Sequence, residues 1–205
     1  MFTPEERAAM AGLWARKTDQ DARRLPRLER HRNLHPASAE LLAALAMGLG
    51  AKRILEIGGS SGLSTIALAA AARRTEGRVT SIEIEPVRQA EARETLAALG
   101  HAGRVEFLLG DAATILLGVA EPERACATPD MDLVLLDCEK EDYARFLDLL
   151  VLSPGAVVVA DNVLSHDLAE YVAHVRAKPG VESVTLAVGQ GLELSRFTRG
   201  QPARG

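Results

Sequence analysis

A chain of 205 residues and 21.9 kDa suffices for one domain with a sizeable core and is short for two. Its 47% hydrophobic and 25% charged residues exclude general disorder, and 3% aromatics leave the core to Leu, Val, Ile and Ala. A formal net charge of −4 argues against broad nucleic-acid binding and polybasic membrane attachment. The longest apolar runs, at 65–72 and 155–160, fall far short of the ~20 residues of a membrane span. The opening MFTPEERAAM has acids where a secretory leader has basic and then apolar residues, so a cytoplasmic protein is expected. Cys126 and Cys138, the only cysteines, are too few for a disulfide scaffold or a structural zinc site.

Thr3-Pro4-Glu5-Glu6 reads as a capping box with Pro at the first helical position, which predicts a helix running to about Ala22. The stretch from residue 16 to 32 is basic and broken by Pro26. Pro36 opens a second helix with Leu42, Leu45 and Leu49 on one stripe, closed by Gly50. Residues 1–50 thus form an N-terminal helical cap on a core of residues 51–199 within a single domain. From Arg53 the rhythm changes: short β-branched and leucine-rich runs at 53–57, 78–83, 104–108, 132–137 and 155–160 alternate with helical patterns near 63–73, 86–99, 112–120, 142–152 and 167–177. That alternation predicts an α/β domain with a parallel sheet covered on both faces. The last two strands, 182–188 and 192–198, are joined only by Gly189-Gln190-Gly191, so they must form an antiparallel hairpin. An exposed loop is expected at 121–130 and a frayed tail at 200–205.

The strongest local signal is Leu55-Glu56-Ile57-Gly58-Gly59-Ser60-Ser61-Gly62, which leaves the first strand and enters a helix. Small residues there admit a ligand close to the backbone, and the helix start offers free amides to an anion. The dinucleotide fingerprint fits badly: counted from Gly58, its second and third glycines fall on Ser60 and Leu63. Glu83 ends the second strand, where an acid accepts from both hydroxyls of a ribose. An acid that merely caps the next helix is better matched to Glu85 beside Pro86.

A second group lies at the ends of the fourth and fifth strands. Asp137 leaves one carboxyl edge, and Asp161 with Asn162 leaves the next. Ligands of open α/β sheets bind at that edge. Two carboxylates and an amide oxygen there form a hard, all-oxygen set suited to Mg²⁺, with Lys140 on the same rim. Any one of these residues alone reads as a helix cap.

In order, LEIGGSSG, SIEIEP, FLLGDA, LVLLDCEK, VVVADNV and GLELSRF resemble the cation-dependent class I O-methyltransferases, from about Leu34 to Thr198. That family includes catechol and caffeoyl-CoA O-methyltransferases and small bacterial relatives. The resemblance implies a Rossmann-like, seven-stranded, mostly parallel sheet, in agreement with the hairpin inferred above. It implies S-adenosylmethionine (SAM) as cofactor. Glu56, Gly58, Ser60 and Gly62 would shape its pocket, and Ser64 and Leu34 hold the methionine end. Glu83 would take the ribose, Ile84, Ala112 and Cys138 pack the adenine, and Asp111 lie near its amino group. Asp137, Asp161 and Asn162 match the metal ligands and Lys140 the general base. The acceptor would be a small hydroxylated molecule, catechol-like or other. The mechanism is direct transfer, with no nucleophilic role for Cys138.

The segment 163–166 is short where several members carry an insertion, and Trp14, Tyr143 and Tyr171 are the few aromatic candidates for an acceptor slot. His31 and His35 stand four apart, but Pro36 disfavours helix at His35, so both are expected to face solvent. Three other functions compete. One branch methylates hydroxyuridine in tRNA, for which Arg16, Lys17, Arg23, Arg24, Arg27, Arg30 and Arg32 offer a local phosphate contact; a solvated helical face or a dimer contact explains them better. A non-catalytic SAM-binding protein is disfavoured by the full set of ligands and base. A dinucleotide dehydrogenase is disfavoured by the glycine spacing. Leu13, Trp14 and Leu25, apolar in polar surroundings, predict a homodimer through the N-terminal helices.

Overall fold

The computed structural model describes residues 1–26, 29–118 and 130–201. Helix α1 (Pro4–Ala22) and helix α2 (Pro36–Gly48) precede strand β1 (Arg53–Ile57). The alternation continues through α3 (Leu63–Thr75), β2 (Arg78–Glu83), α4 (Pro86–Ala98), β3 (Val105–Leu109), α5 (Ala112–Leu116) and β4 (Met131–Leu136). A short 3₁₀ turn (Lys140–Asp142) leads to α6 (Tyr143–Leu149), β5 (Leu152–Asp161), α7 (Ala169–Arg176), β6 (Val181–Leu186) and β7 (Leu192–Phe197).

The strands form one seven-stranded sheet in the order β3-β2-β1-β4-β5-β7-β6. β3 to β5 are parallel neighbours, and the β6–β7 hairpin adds antiparallel to β5, as the short connection required. Chain order reverses direction between β1 and β4, so the carboxyl ends of these two strands form the switch point of the sheet. One apolar layer lies between the sheet and α1, α2 and α3; the other carries α5, α6 and α7. Helix α3 is buried continuously from Leu63 to Ala72, and its run of alanines allows close packing on two sides at once.

Four local expectations shift. Strand β5 starts at Leu152 rather than 155, because Leu152 pairs with Met131 across a register irregularity that accommodates Pro154 and Gly155. The helix read over 142–152 accordingly stops at Leu149. Leu49 is the helix C-cap and is exposed, not part of the buried stripe. The tail is pinned at its start: Gln201 bridges Leu152, and its Nε2 donates to the Leu147 and Leu150 carbonyls. The loop expected at 121–130 lies, apart from Asp130, outside the described residues, as do Cys126, Arg27 and the end of the helix read to 120.

The predicted capping box is present. Thr3 Oγ1 accepts from the Glu6 amide at 3.2 Å, and Glu6 Oε2 accepts from the Thr3 amide at 2.7 Å. Glu6 also ties α1 to the body, because its Oε1 lies 2.8 Å from Arg73 Nη1 and 2.9 Å from His101 Nε2. Leu13 then enters the core while Trp14 packs against its edge. Leu13 is thus buried within the chain, and Trp14 is partly buried at the edge of the core.

Burial of Glu6 works against its charge, but the Thr3 amide, His101 and Arg73 outweigh it and hold the carboxyl below its ordinary pKa. A lowered folded-state pKa contributes stability above the ordinary carboxylate range and loses it as pH falls through the folded value. Glu6→Gln is expected to cost about 2 kcal/mol near neutral pH, because Arg73 and His101 lose their charged partner. The difference from wild type in urea unfolding should narrow as pH drops below the carboxylate range.

Candidate active site

The turn after β1 leaves no room for side chains at its glycines. Gly58 has φ +96°, and a Cβ there would lie 2.6 Å from the carbonyl carbon of Asp137. Gly62, at φ +101°, is the N-cap of α3 and would meet Ala92 at 3.0 Å. The Glu83 carboxylate closes the turn, accepting from the amides of Ser60 at 2.7 Å and of Ile84 and Glu85 at 2.9 Å. Beneath it, buried Glu56 accepts from the hydroxyls of Thr65 and Ser81, each at 2.6 Å. Burial raises the Glu56 pKa, and the Ser64, Ser81 and Thr65 hydroxyls oppose that rise.

Gly58, Ser60, Glu83, Ile84, Asp111, Ala112, Asp137 and Cys138 line one cleft at the switch point. Four other residues assigned to the cofactor do not line it: Leu34, Glu56 and Ser64 are buried behind the turn, and Gly62 starts α3. Asp111 caps α5, accepting from the amide and hydroxyl of Thr114 at 2.8 Å. Glu85 holds the N-cap position of α4, yet its side chain makes no capping bond, contrary to expectation. Burial pushes the Cys138 thiol well above its ordinary pKa, so it is a poor source of thiolate. Arg32, Arg88 and Phe146 also line this cleft, and none was singled out for it from the sequence.

The second group gathers at the adjoining strand ends. β4 and β5 pair through Leu136 and Ala160, which brings Asp137 and Asp161 out side by side. Asp161 Oδ1 is buried without a hydrogen-bond partner. Burial, then the Asp137 charge, pushes the Asp161 carboxyl up to about 7. Burial likewise raises Asp137, opposed by Lys140 and Arg32. Asn162 adopts φ +70° and donates its Nδ2 to Gln190 Oε1, which commits the amide nitrogen and leaves the oxygen for another partner. Two buried carboxylates with an orphaned oxygen and an amide oxygen beside them fit a divalent cation of the Mg²⁺ class. Among the described residues no group of three His, Cys, Asp or Glu is placed to bind a metal, so the amide is needed to complete this set.

Lys140 Nζ donates to Tyr143 Oη at 2.8 Å and lies 3.3 Å from Asp137 Oδ1. Buried Tyr143 donates in turn to the Asp161 carbonyl at 3.4 Å and meets Tyr171 edge-on at 5.4 Å. The lysine is thus held from below. Tyr143 and Tyr171 are core and support residues, not walls of an acceptor slot.

A second cleft is lined by Trp14, Lys17, Asp21, Arg30 and His35 together with Asp137, Lys140, Asp161, Asn162 and Gln190. Asp137 and Arg32 line both clefts, so the two adjoin there. His31 and His35 are partly buried rather than solvent-facing. His31 pairs with Glu91 at 3.1 Å with an 11% exposed side chain, and His35 caps α2 through Nδ1 while meeting Trp14 edge-on at 5.0 Å. The linker is latched to the glycine-rich turn: the Arg32 amide donates to Ser60 Oγ at 3.0 Å, and Asn33 and Ser61 exchange hydrogen bonds.

A family model described as O-methyltransferase matches residues 20–198. The chain belongs to the O-methyltransferase family. Within that family it is 35% identical over 146 residues to a catechol O-methyltransferase of Mycobacterium tuberculosis, covering 70% of this chain. It is 31% identical over 134 residues to one of Niastella koreensis, covering 64% of this chain. The matches span 61% and 58% of the length of those two O-methyltransferases. Among solved structures, the O-methyltransferase TomG of Streptomyces achromogenes in complex with SAM superposes with a TM-score of 0.74 at 29% identity, covering 91% of this chain and 89% of that one. The SAH-bound Podospora anserina methyltransferase PaMTH1 shares the fold, with a TM-score of 0.78 at 21% identity over 96% of this chain and 88% of that one.

Gly58→Ala forces a side chain against the Asp137 backbone at positive φ, and the expected cost exceeds about 2 kcal/mol. Calorimetry should find affinity for S-adenosylhomocysteine reduced about tenfold or more, since the clash opens the seam between β1 and β4. Gly12→Ala, in α1 with nothing within 4 Å of the new Cβ, should instead leave that affinity intact.

Proposed function

We propose that the protein transfers the methyl group of SAM to a hydroxyl of a small acceptor, assisted by a divalent cation on Asp137, Asp161 and Asn162, with Lys140 as base. The observation that carries this reading is the shared seam. Asp137 belongs to both clefts, so a cofactor over the glycine-rich turn and an acceptor beside Lys140 would meet at one place. The family match and the SAM-bound relative support the cofactor assignment.

A phenolic hydroxyl has a pKa near ~10 and is a weak nucleophile at neutral pH. The cation, when bound, supplies electrostatic stabilisation of the acceptor's developing negative charge. Lys140, fixed by Tyr143 and Asp137, takes the hydroxyl proton, for which it must arrive uncharged. The C–S bond of the sulfonium breaks as the new C–O bond forms. S-adenosylhomocysteine leaves and the proton stays on Lys140. The chain's remaining contribution is positional: Glu83 and the turn it closes hold one reactant, and the Trp14–His35 edge borders the other.

With an active acceptor in hand, EDTA is expected to abolish transfer and added Mg²⁺ to restore it. Lys140→Ala should lower turnover by ~10²–10⁴, and its residual rate should rise with pH as hydroxide replaces the lysine. Full transfer in EDTA would remove the cation from the mechanism.

A further inference from the structure

Resting on that reading, we propose that Gln190 is a positioning residue of the cation site: by accepting from the Asn162 amide nitrogen, it turns the Asn162 oxygen toward the ion and so sets how tightly the ion is held. The two ends of a carboxamide have the same shape and opposite hydrogen-bonding roles. Which end faces a cation therefore depends on what the other end meets. Here Nδ2 of buried Asn162 donates to Gln190 Oε1. Turned over, the same amide presents N–H groups to a site with two carboxylates and an orphaned Asp161 oxygen, and it competes with the cation instead of binding it.

The hairpin turn is built to hold this orientation. Gln190 Oε1 takes the Asn162 side chain, the Gly191 carbonyl accepts from the Val163 amide at 3.1 Å, and the Gln190 carbonyl accepts from the Leu164 amide at 3.2 Å. The Asn162 carbonyl in turn accepts from the Ser165 and His166 amides at 3.1 and 3.0 Å, which fixes the backbone of a residue held at φ +70°. Ser165 Oγ lies 3.5 Å from the same Gln190 Oε1, a second donor that keeps the oxygen end of the glutamine on this side. The turn is also pressed into place. A Cβ on Gly191 would lie 2.6 Å from the Leu164 nitrogen, and one on Gly189 would lie 2.9 Å from His35 Cβ. With the backbone fixed on both sides, the freedom left is rotation of the Asn162 amide, and Gln190 Oε1 is the acceptor that settles it.

The test is calorimetric titration of Mn²⁺ into the full chain with S-adenosylhomocysteine bound, which needs no acceptor. Gln190→Leu removes the accepting atom at similar size and should weaken Mn²⁺ binding about tenfold, the low end for partners that orient a metal ligand. Gln190→Glu keeps an oxygen there and should bind Mn²⁺ at least as tightly as wild type. Asn162→Asp supplies a carboxylate with two equivalent oxygens, so Gln190→Leu made in that background should change Mn²⁺ affinity by less than about twofold. Both Gln190 variants should bind S-adenosylhomocysteine as wild type does, since Gln190 lines the cleft beside Lys140 and not the one over the glycine-rich turn. Wild-type Mn²⁺ affinity in Gln190→Leu would overturn the proposal. So would an equal loss in Gln190→Glu, which would mean that the glutamine donates to the Asn162 oxygen. The same tenfold loss in the Asn162→Asp background, the mark of a merely structural turn, would overturn it too. Wild-type protein without saturable Mn²⁺ binding overturns the parent reading of a cation site, and this proposal with it.

Discussion

Two like-charged carboxylates, Asp137 and Asp161, emerge side by side from adjacent parallel strands and are shielded from water. Burial raises both, the Asp137 charge raises Asp161 further, and one oxygen of Asp161 is left without a donor. Such an arrangement is unfavourable for a chain on its own and becomes favourable beside a cation. Much of the nearby structure serves to hold these two groups in place. Tyr143 ties Lys140 on one side to the Asp161 backbone on the other. Gln190, in the turn of the antiparallel hairpin, commits the nitrogen of Asn162. The hairpin therefore completes the site as well as the sheet.

The same economy governs the glycine-rich turn. Glu83 spends its carboxylate on three backbone amides, and Gly58 lets the β1 turn touch the Asp137 backbone without a side chain between them. The two clefts are thereby tied to one seam, and the linker through Asn33 and Ser61 joins the N-terminal helices to it. A shift in the turn would be felt at both clefts. Methyl transfer rewards that rigidity, because in-line approach of oxygen to a sulfonium methyl tolerates little misplacement.

The strand–helix alternation, the hairpin and the strand-end acids were legible because they rest on local periodicity and short connections. The capping box at Thr3 was legible for the same reason. Less was legible where meaning depends on distant partners. Tyr143 and Tyr171 looked like candidate ring-binders, yet the fold uses them to buttress Lys140. His31 and His35 looked solvent-facing from the nearby proline, but Glu91 and Trp14 draw both into a cleft wall. The basic segment read as a solvated face, and only the fold shows Asp21 collecting two of its cations. The strand read from 155 begins at Leu152 instead, because a register irregularity accommodates Pro154 and Gly155 within it.

The account turns on whether Asp137, Asp161 and Asn162 bind a divalent ion. Titration of Mn²⁺ into the protein with S-adenosylhomocysteine present, followed by the electron paramagnetic resonance of free Mn²⁺, measures this without any acceptor. One saturable site per chain is expected, displaced by Mg²⁺ and lost in Asp161→Asn while S-adenosylhomocysteine still binds. Absence of saturable binding in the wild type, or a site that survives in Asp161→Asn, would contradict it.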